Sequence, residues 1–307
     1  MGARHAIVAL LLLSAAWAVT PWAVTSRAVA QDRPTMSAVL DASQRSDWRE
    51  PDADELLYLE LETGRVVFLL TPLFAPKHID NLRKLVAGRY FDGLAIIRSQ
   101  DNYVVQWGDP AAGTDDERSL GTASERLEPE FYRAADGLDF TLLESRDAYA
   151  GEVGFVDGFP AGRDGAAGRA WLTHCYGMLG VGRATSPRSG NGAELYVVTG
   201  HAPRHLDRNV TLVGRVVHGM ERLSTLPRGT GALGFYESAE EHVPIESVRF
   251  GSDLPETERL PIEILRTDTA TFARLVEARR HRVEEWFVDP ADAIGVCNVP
   301  LPVRVSD

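Results

Sequence analysis

Residues 94–109 read LAIIRSQDNYVVQWGD. The run Leu94–Ile97 and the aromatic-containing run Tyr103–Trp107 each have the length and composition of a short β-strand. Arg98 follows directly on the first run. An arginine there either pairs with an acid as a structural strand residue or offers a permanent cation to a ligand. Working outward, Leu56–Leu61 and Arg65–Leu70 are strand-like and are split by Thr63-Gly64, which predicts a β-hairpin. A helix is expected from Pro76, because Ile79, Leu82, Leu85 and Val86 share one face and Gly88 offers a C-cap. Further strands are expected at Phe140–Leu143, Val153–Val156, Met178–Val181, Leu195–Val198, Thr211–Val217, Val243–Phe250 and Leu260–Leu265. Gly219–Leu226 reads as a short helix or turn. A last helix is expected over Thr269–Phe287, capped by Asp268, with Phe272, Leu275, Val276, Val283 and Trp286 on its packed face. Many short strands with few helices predict a closed or nearly closed β architecture.

The chain has 307 residues, 44% hydrophobic and 25% charged, which is enough material for a sizeable soluble core. Its net charge of −12 argues against nucleic-acid binding and against anionic membrane surfaces. Arg4 and His5, the apolar run Ile7–Val19 and the small residues Ala28-Val29-Ala30 together have the anatomy of a secretory signal peptide over residues 1–30. The apolar run is shorter than the roughly 20 residues a membrane span needs. Export to the periplasm or beyond is therefore expected, with no membrane attachment once the leader is removed. Residues 31–54 are polar and read as a flexible lead-in. Cys175 and Cys297 are the only cysteines. In an oxidising compartment they either pair or stay as two separate buried thiols, and spacing does not decide between these. His174 beside Cys175 has no further ligands at metal-site spacing. The glycines of Gly162–Gly168 lack the strand-then-helix context of a phosphate loop and read as a loop.

The order of local motifs carries a resemblance. Pro76-Lys77-His78-Ile79-Asp80-Asn81-Leu82 resembles the first helix of the cyclophilins, the peptidyl-prolyl cis-trans isomerases. LAIIRSQDNYVVQWGD resembles that family's T-I-F-H-R-V-I-P-G-F-M-V-Q-G-G-D block. Gly177–Ala184, Ala193–Val197, His205-Leu206-Asp207 and Val213–Met220 resemble further blocks, in family order. The resemblance implies a mainly β fold: an eight-stranded antiparallel barrel capped by two helices over residues 55–251. An insertion is then expected at about 111–169. Residues 252–307 fall outside the family pattern and are expected as a strand-helix extension packed on the barrel.

By the same resemblance, Arg98 takes the place of the catalytic arginine and Gln106 that of a substrate-positioning glutamine. Tyr103 and Tyr196 stand for pocket phenylalanines, Val104 for a methionine, and Leu206 keeps a pocket leucine. Gly182, Glu194, His205 and Val210 complete the expected substrate-binding set. Several of these depart from the family. Ile97 replaces the usual histidine and Asp101-Asn102 the usual Pro-Gly. Glu194 replaces a glutamine and brings a carboxylate close to the groove, within the expected reach of Arg98. His205 replaces a groove aromatic, and Val210 a late histidine. The implied activity needs no nucleophile, metal or cofactor, and its partners are proline-containing polypeptides met by a monomer. The altered groove leaves a second expectation open, a catalytically weak or inactive peptide-binding module or chaperone of the same fold.

Overall fold

The computed structural model describes residues 33–306, so the expected leader lies outside the described residues. The segment expected as a flexible lead-in is folded. It forms α1 (Met36–Asp41), capped by the Thr35 hydroxyl, and a short strand β1 (Trp48–Arg49). Met36, Val39 and Leu40 supply one apolar helix face in an otherwise polar stretch, and that face joins a core.

The expected hairpin follows as β2 (Leu56–Leu61) and β3 (Gly64–Leu70), in register from Leu56↔Leu69 to Leu61↔Gly64. Next come α2 (Pro76–Ala87), with Pro76 in its first turn, then β4 (Ala95–Ser99) and β5 (Val104–Gly108). The insertion is a sheet of its own: β6 (Arg133–Ala134), β7 (Thr141–Leu143), β8 (Glu152–Val156), β9 (Phe159–Asp164) and β10 (Arg169–Leu172). It runs past the expected end at Arg169. Gly162, read as loop, lies within β9, where the Trp171 ring packs so close that any β-carbon would come within 2.8 Å of it. The chain then returns as β11 (Met178–Val181), β12 (Leu195–Val198), β13 (Leu212–His218), α3 (Met220–Ser224) and β14 (Val243–Phe250). Eight strands close an antiparallel barrel in the order β11-β12-β5-β4-β14-β2-β3-β13.

Strand periodicity explains how the barrel is filled. Leu57, Leu59, Leu61, Val66, Phe68 and Leu70 face inward with Val105, Trp107, Val197 and Val213. Ile79, Leu82, Leu85 and Val86 of α2 and Leu223 of α3 join the same cluster, so the two helices close the barrel. The opposite parity, Leu56, Tyr58, Val67 and Leu69, is buried as well. It packs under the insertion sheet, α1 and the C-terminal extension in a second core.

The extension consists of β15 (Ile262–Leu265), α4 (Ala270–Arg280) and β16 (Val303–Val305), with β15 paired between β1 and β16. A Cys175–Cys297 disulfide ties it to the segment after the insertion. Helix α4 is shorter than expected. Thr269, not Asp268, caps it, accepting a hydrogen bond from the Phe272 N–H at 3.1 Å. Its apolar stripe holds through Phe272, Leu275 and Val276, then meets the polar run Arg279–Arg282, and His281 ends the helix. Val283 is consequently only partly buried, and Trp286 is 82% exposed rather than packed. No described helix is long and apolar enough to cross a membrane.

Arg215 of β13 is caught beneath the second layer. It is buried near the Phe159 ring of the insertion, and its Nε has no hydrogen-bond partner among the described residues. Burial pulls its pKa down to about 10. A buried cation without a close counter-charge is costly, and an apolar side chain of similar length removes that cost. Arg215→Met is expected to stabilise the fold by about 1–2 kcal/mol in urea unfolding. A loss of stability would mean that the arginine is satisfied in solution.

Candidate active site

Three neighbouring strands, β4, β5 and β12, place Arg98, Val104, Gln106 and Tyr196 on one outer patch of the barrel. The β4–β5 pairing sets Arg98 opposite Gln106, just after an irregularity in register between Ile96 and Arg98. The β5–β12 pairing sets Gln106 opposite Tyr196, and β11–β12 sets Tyr196 opposite Gly180. Val104, Gln106, Tyr196 and Val198 therefore share the outer parity, while Val105, Trp107 and Val197 fill the barrel. Gly180 is required by the Tyr196 ring that crosses it, since a β-carbon there would lie 2.2 Å from Tyr196 Cζ.

The polar half of the patch is a hydrogen-bonded row. Arg98 Nη1 donates to Gln106 Oε1 at 2.9 Å, and Gln106 Nε2 donates to Glu194 Oε2 at 2.8 Å. Glu194 thus reaches Arg98 through Gln106 rather than by a direct ion pair. Arg98 also donates from Nε to the Leu233 carbonyl at 2.8 Å and from Nη2 to the Gln100 side chain. Its guanidinium lies 5.6 Å from the Tyr103 ring centre and 5.2 Å from that of Phe235, within cation–π range of both. Burial pushes the Glu194 carboxyl above its usual range, with the Gln106 hydrogen bond and the Arg98 charge opposing. Gly182 lies against Glu194 and donates its N–H to the Glu194 carbonyl at 2.8 Å.

The apolar half is a small cluster separate from both cores. Val104, Tyr196 and Val198 form it, with Tyr103 and Val210 packed against them. His205 is exposed, its ring parallel to that of Tyr103 with centres 6.5 Å apart. Leu206 follows in the same turn, half-buried, but does not join the cluster.

Behind this cluster stands a buried polar ladder that no spacing in the sequence announces. The Tyr196 hydroxyl lies 2.9 Å from His174 Nε2. His174 donates to Asp207 Oδ1 from both its backbone N–H, at 2.9 Å, and Nδ1, at 3.0 Å. With Nδ1 carrying the proton, Nε2 accepts from the Tyr196 O–H. Arg204 donates to Asp207 Oδ2 at 2.6 Å and forks onto both oxygens of Asp147 in the insertion, at 2.8 and 3.0 Å. His174 and Asp207 are almost fully buried. The members are far apart in sequence, and only strand pairing and the turn Arg204–Leu206 bring them together.

A sequence-family model described as "Cyclophilin type peptidyl-prolyl cis-trans isomerase/CLD" matches residues 56–250, the span of the barrel. A probable peptidyl-prolyl cis-trans isomerase of Brucella suis biovar 1 is 25% identical over 181 residues, 59% of this chain and 76% of that relative. One from Brucella abortus is 24% identical over the same length. The crystal structure of the cyclophilin AquaCyp293 from Hirschia baltica matches with a TM-score of 0.67 at 24% identity, covering 90% of this chain and 99% of that one. That coverage exceeds the family match, so the likeness in fold takes in residues outside the barrel. The chain belongs to the cyclophilin family and is a cyclophilin-type peptidyl-prolyl cis-trans isomerase. Proline-containing peptides are the ligands of this class.

The ladder behind Tyr196 sets two measurable properties. Tyr196→Phe leaves the buried His174 Nε2 without a partner and is expected to cost about 1–3 kcal/mol in urea unfolding. Burial also lowers the His174 pKa from 6.5 in the folded chain. Below that pH the unfolded chain binds a proton that the folded chain refuses. Stability is therefore full above pH 6.5 and is lost as pH falls from there toward the depressed folded-state value, by up to about 1.4 kcal/mol per pH unit. Unfolding curves across this range should show that slope in the wild type and a shallower one in His174→Gln.

Proposed function

We propose that the outer patch around Arg98 is the isomerase centre and that the protein assists folding of exported polypeptides. An X–Pro bond resists rotation by amide resonance, with a barrier of about 18–20 kcal/mol. Twisting the bond breaks that resonance and localises the lone pair on the prolyl nitrogen, so a fixed cation or donor directed at that nitrogen, beside a pocket for the ring, lowers the barrier. The observation that carries the reading is the juxtaposition of the Arg98–Gln106 pair with the separate apolar cluster of Val104, Tyr196, Tyr103 and Val210. In this reading the cluster seats the proline ring, and Leu206 and His205 form its rim. Gln106 orients the guanidinium, and Gly182 and Glu194 border the bound chain. A guanidinium has five N–H donors. Three acceptors in the fold engage Arg98, which leaves donors for a substrate carbonyl.

The engagement of Arg98 by Leu233, Gln100 and Gln106 also favours a second reading, in which the groove grips extended peptides with little catalysis. An isomerisation assay on short X–Pro peptides separates the two. The wild type is expected to accelerate isomerisation, and Arg98→Ala to lose about 10²–10³-fold in kcat/KM. Glu194→Gln removes a negative charge that opposes the guanidinium and is expected to raise kcat/KM by about threefold. A folded wild type that accelerates no peptide, whatever precedes proline, makes the binding reading the better one.

Export rests on the leader pattern in residues 1–30 and is supported by the Cys175–Cys297 bond, which persists in oxidising compartments. Sequencing the N-terminus of protein recovered from the periplasmic fraction tests it. A mature chain beginning at or near Gln31 supports export, and a cytosolic chain retaining the leader overturns it.

A further inference from the structure

The loop between α3 and β14 reaches Arg98 and ends there in a strained, exposed leucine. Three contacts pin the loop to the edge of β4. The Gly229 N–H donates to the Ser99 carbonyl at 2.9 Å, the Tyr236 N–H donates to the Ile97 carbonyl at 3.0 Å, and Phe235 bridges to Arg98. Inside the loop, the Gly231 N–H donates to the Phe235 carbonyl and the Gly234 N–H to the Gly231 carbonyl, each at 3.0 Å. Gly234 sits so close to Gln100 that a β-carbon would lie 2.5 Å from Gln100 Cα. The loop is therefore braced, and its tip has a defined position.

At that tip Leu233 has φ 56 and ψ 20, the left-handed region that a bulky residue without a local polar group rarely adopts. The residue is 68% exposed. Backbone strain and exposed apolar surface are both unfavourable for the free protein, and their coincidence at one residue beside a candidate catalytic group points to a use in binding. The Leu233 carbonyl is within 2.8 Å of Arg98 Nε, so the leucine stands at the cation itself. The chain direction of a bound peptide follows from chemistry. If Arg98 holds the prolyl carbonyl, the atom bonded to that carbonyl on the far side from the ring is the nitrogen of the next residue. Its Cα lies about 3.8 Å from the prolyl Cα. The Arg98 guanidinium lies within cation–π distance of both Tyr103, which packs on the apolar cluster, and Phe235 of the loop that carries Leu233.

We infer that Leu233 is a specificity-determining residue that contacts the substrate residue following proline and selects an apolar one. The inference rests on the reading of Arg98 as the isomerase centre. A braced leucine offers an apolar contact with little ordering cost, and Phe235 extends the same surface.

The test is exchange NMR on peptides Ala-Ala-Pro-Y-Ala, with Y as Leu, Phe, Ser or Gly, since that method needs no cleavage after the following residue. Wild-type kcat/KM is expected to be about fivefold higher for Leu or Phe than for Gly or Ser. Leu233→Asn introduces a residue type that tolerates left-handed backbone and removes the apolar surface, so the preference should fall to near unity. Leu233→Met, which restores an apolar side chain, should restore the preference. Neither variant alters the backbone carbonyl that meets Arg98. Enhanced exchange without any preference for Y in the wild type, or an unchanged preference in Leu233→Asn, overturns the inference while the isomerase reading stands. No enhanced exchange with any peptide overturns the isomerase reading and this inference with it.

Discussion

Leu56 and Leu57 are adjacent in sequence and both almost fully buried, one against the outer layer and one inside the barrel. An isolated barrel buries one parity of each strand and exposes the other. Here β2 and β3 are apolar on both parities, so the barrel needs a covering. The insertion sheet, α1 and the C-terminal extension supply it, and they share one continuous core with the barrel's outer wall. That constraint explains why a short lead-in folds and why the tail beyond Phe250 packs down. It also explains why a charged residue on that wall, Arg215, ends up enclosed. The Cys175–Cys297 bond holds the tail to the segment that leads into β11.

The covering layer also touches the groove. Asp147 of the insertion anchors Arg204, Arg204 anchors Asp207, and Asp207 orients the imidazole that receives the Tyr196 hydroxyl. Each member is satisfied by its neighbour, which is the condition for a buried polar network to rigidify its surroundings. The tyrosine in place of a pocket phenylalanine is therefore the groove-side end of a buried structure that begins in the insertion. The polar side of the groove is built differently. Arg98 and Gln106 on neighbouring strands and Glu194 just before β12 form a row, partly open to solvent, and the carboxylate at its end tempers the charge of the guanidinium.

Much of the patch was legible residue by residue. Arg98, Gln106, Tyr196 and Val104 share a strand parity that motif alignment places on one face, and the structure sets them side by side. The relation of Glu194 to Arg98 was not legible, because whether two side chains on separate strands touch directly or through a third depends on register. His174 was invisible as part of the site. It lies next to Cys175 and far from Tyr196 in sequence, and no spacing rule connects them. Leu233 was equally silent, since an exposed leucine in a glycine-rich loop has no sequence signature until its backbone angles and its neighbour are known.

The hairpin Leu56–Leu70, the helix opened by Pro76, most of the barrel strands and the family blocks around Arg98 were determined by the chain itself. Local periodicity, turn residues and motif order act over a few residues and survive without tertiary context. The fold of the lead-in, strands β9 and β10 and the early end of α4 needed the assembled molecule. So did the trapping of Arg215, the ladder behind Tyr196 and the placement of Leu233 on Arg98. Each of these depends on which surfaces meet, and burial and long-range pairing are properties of the closed structure, not of any segment read alone.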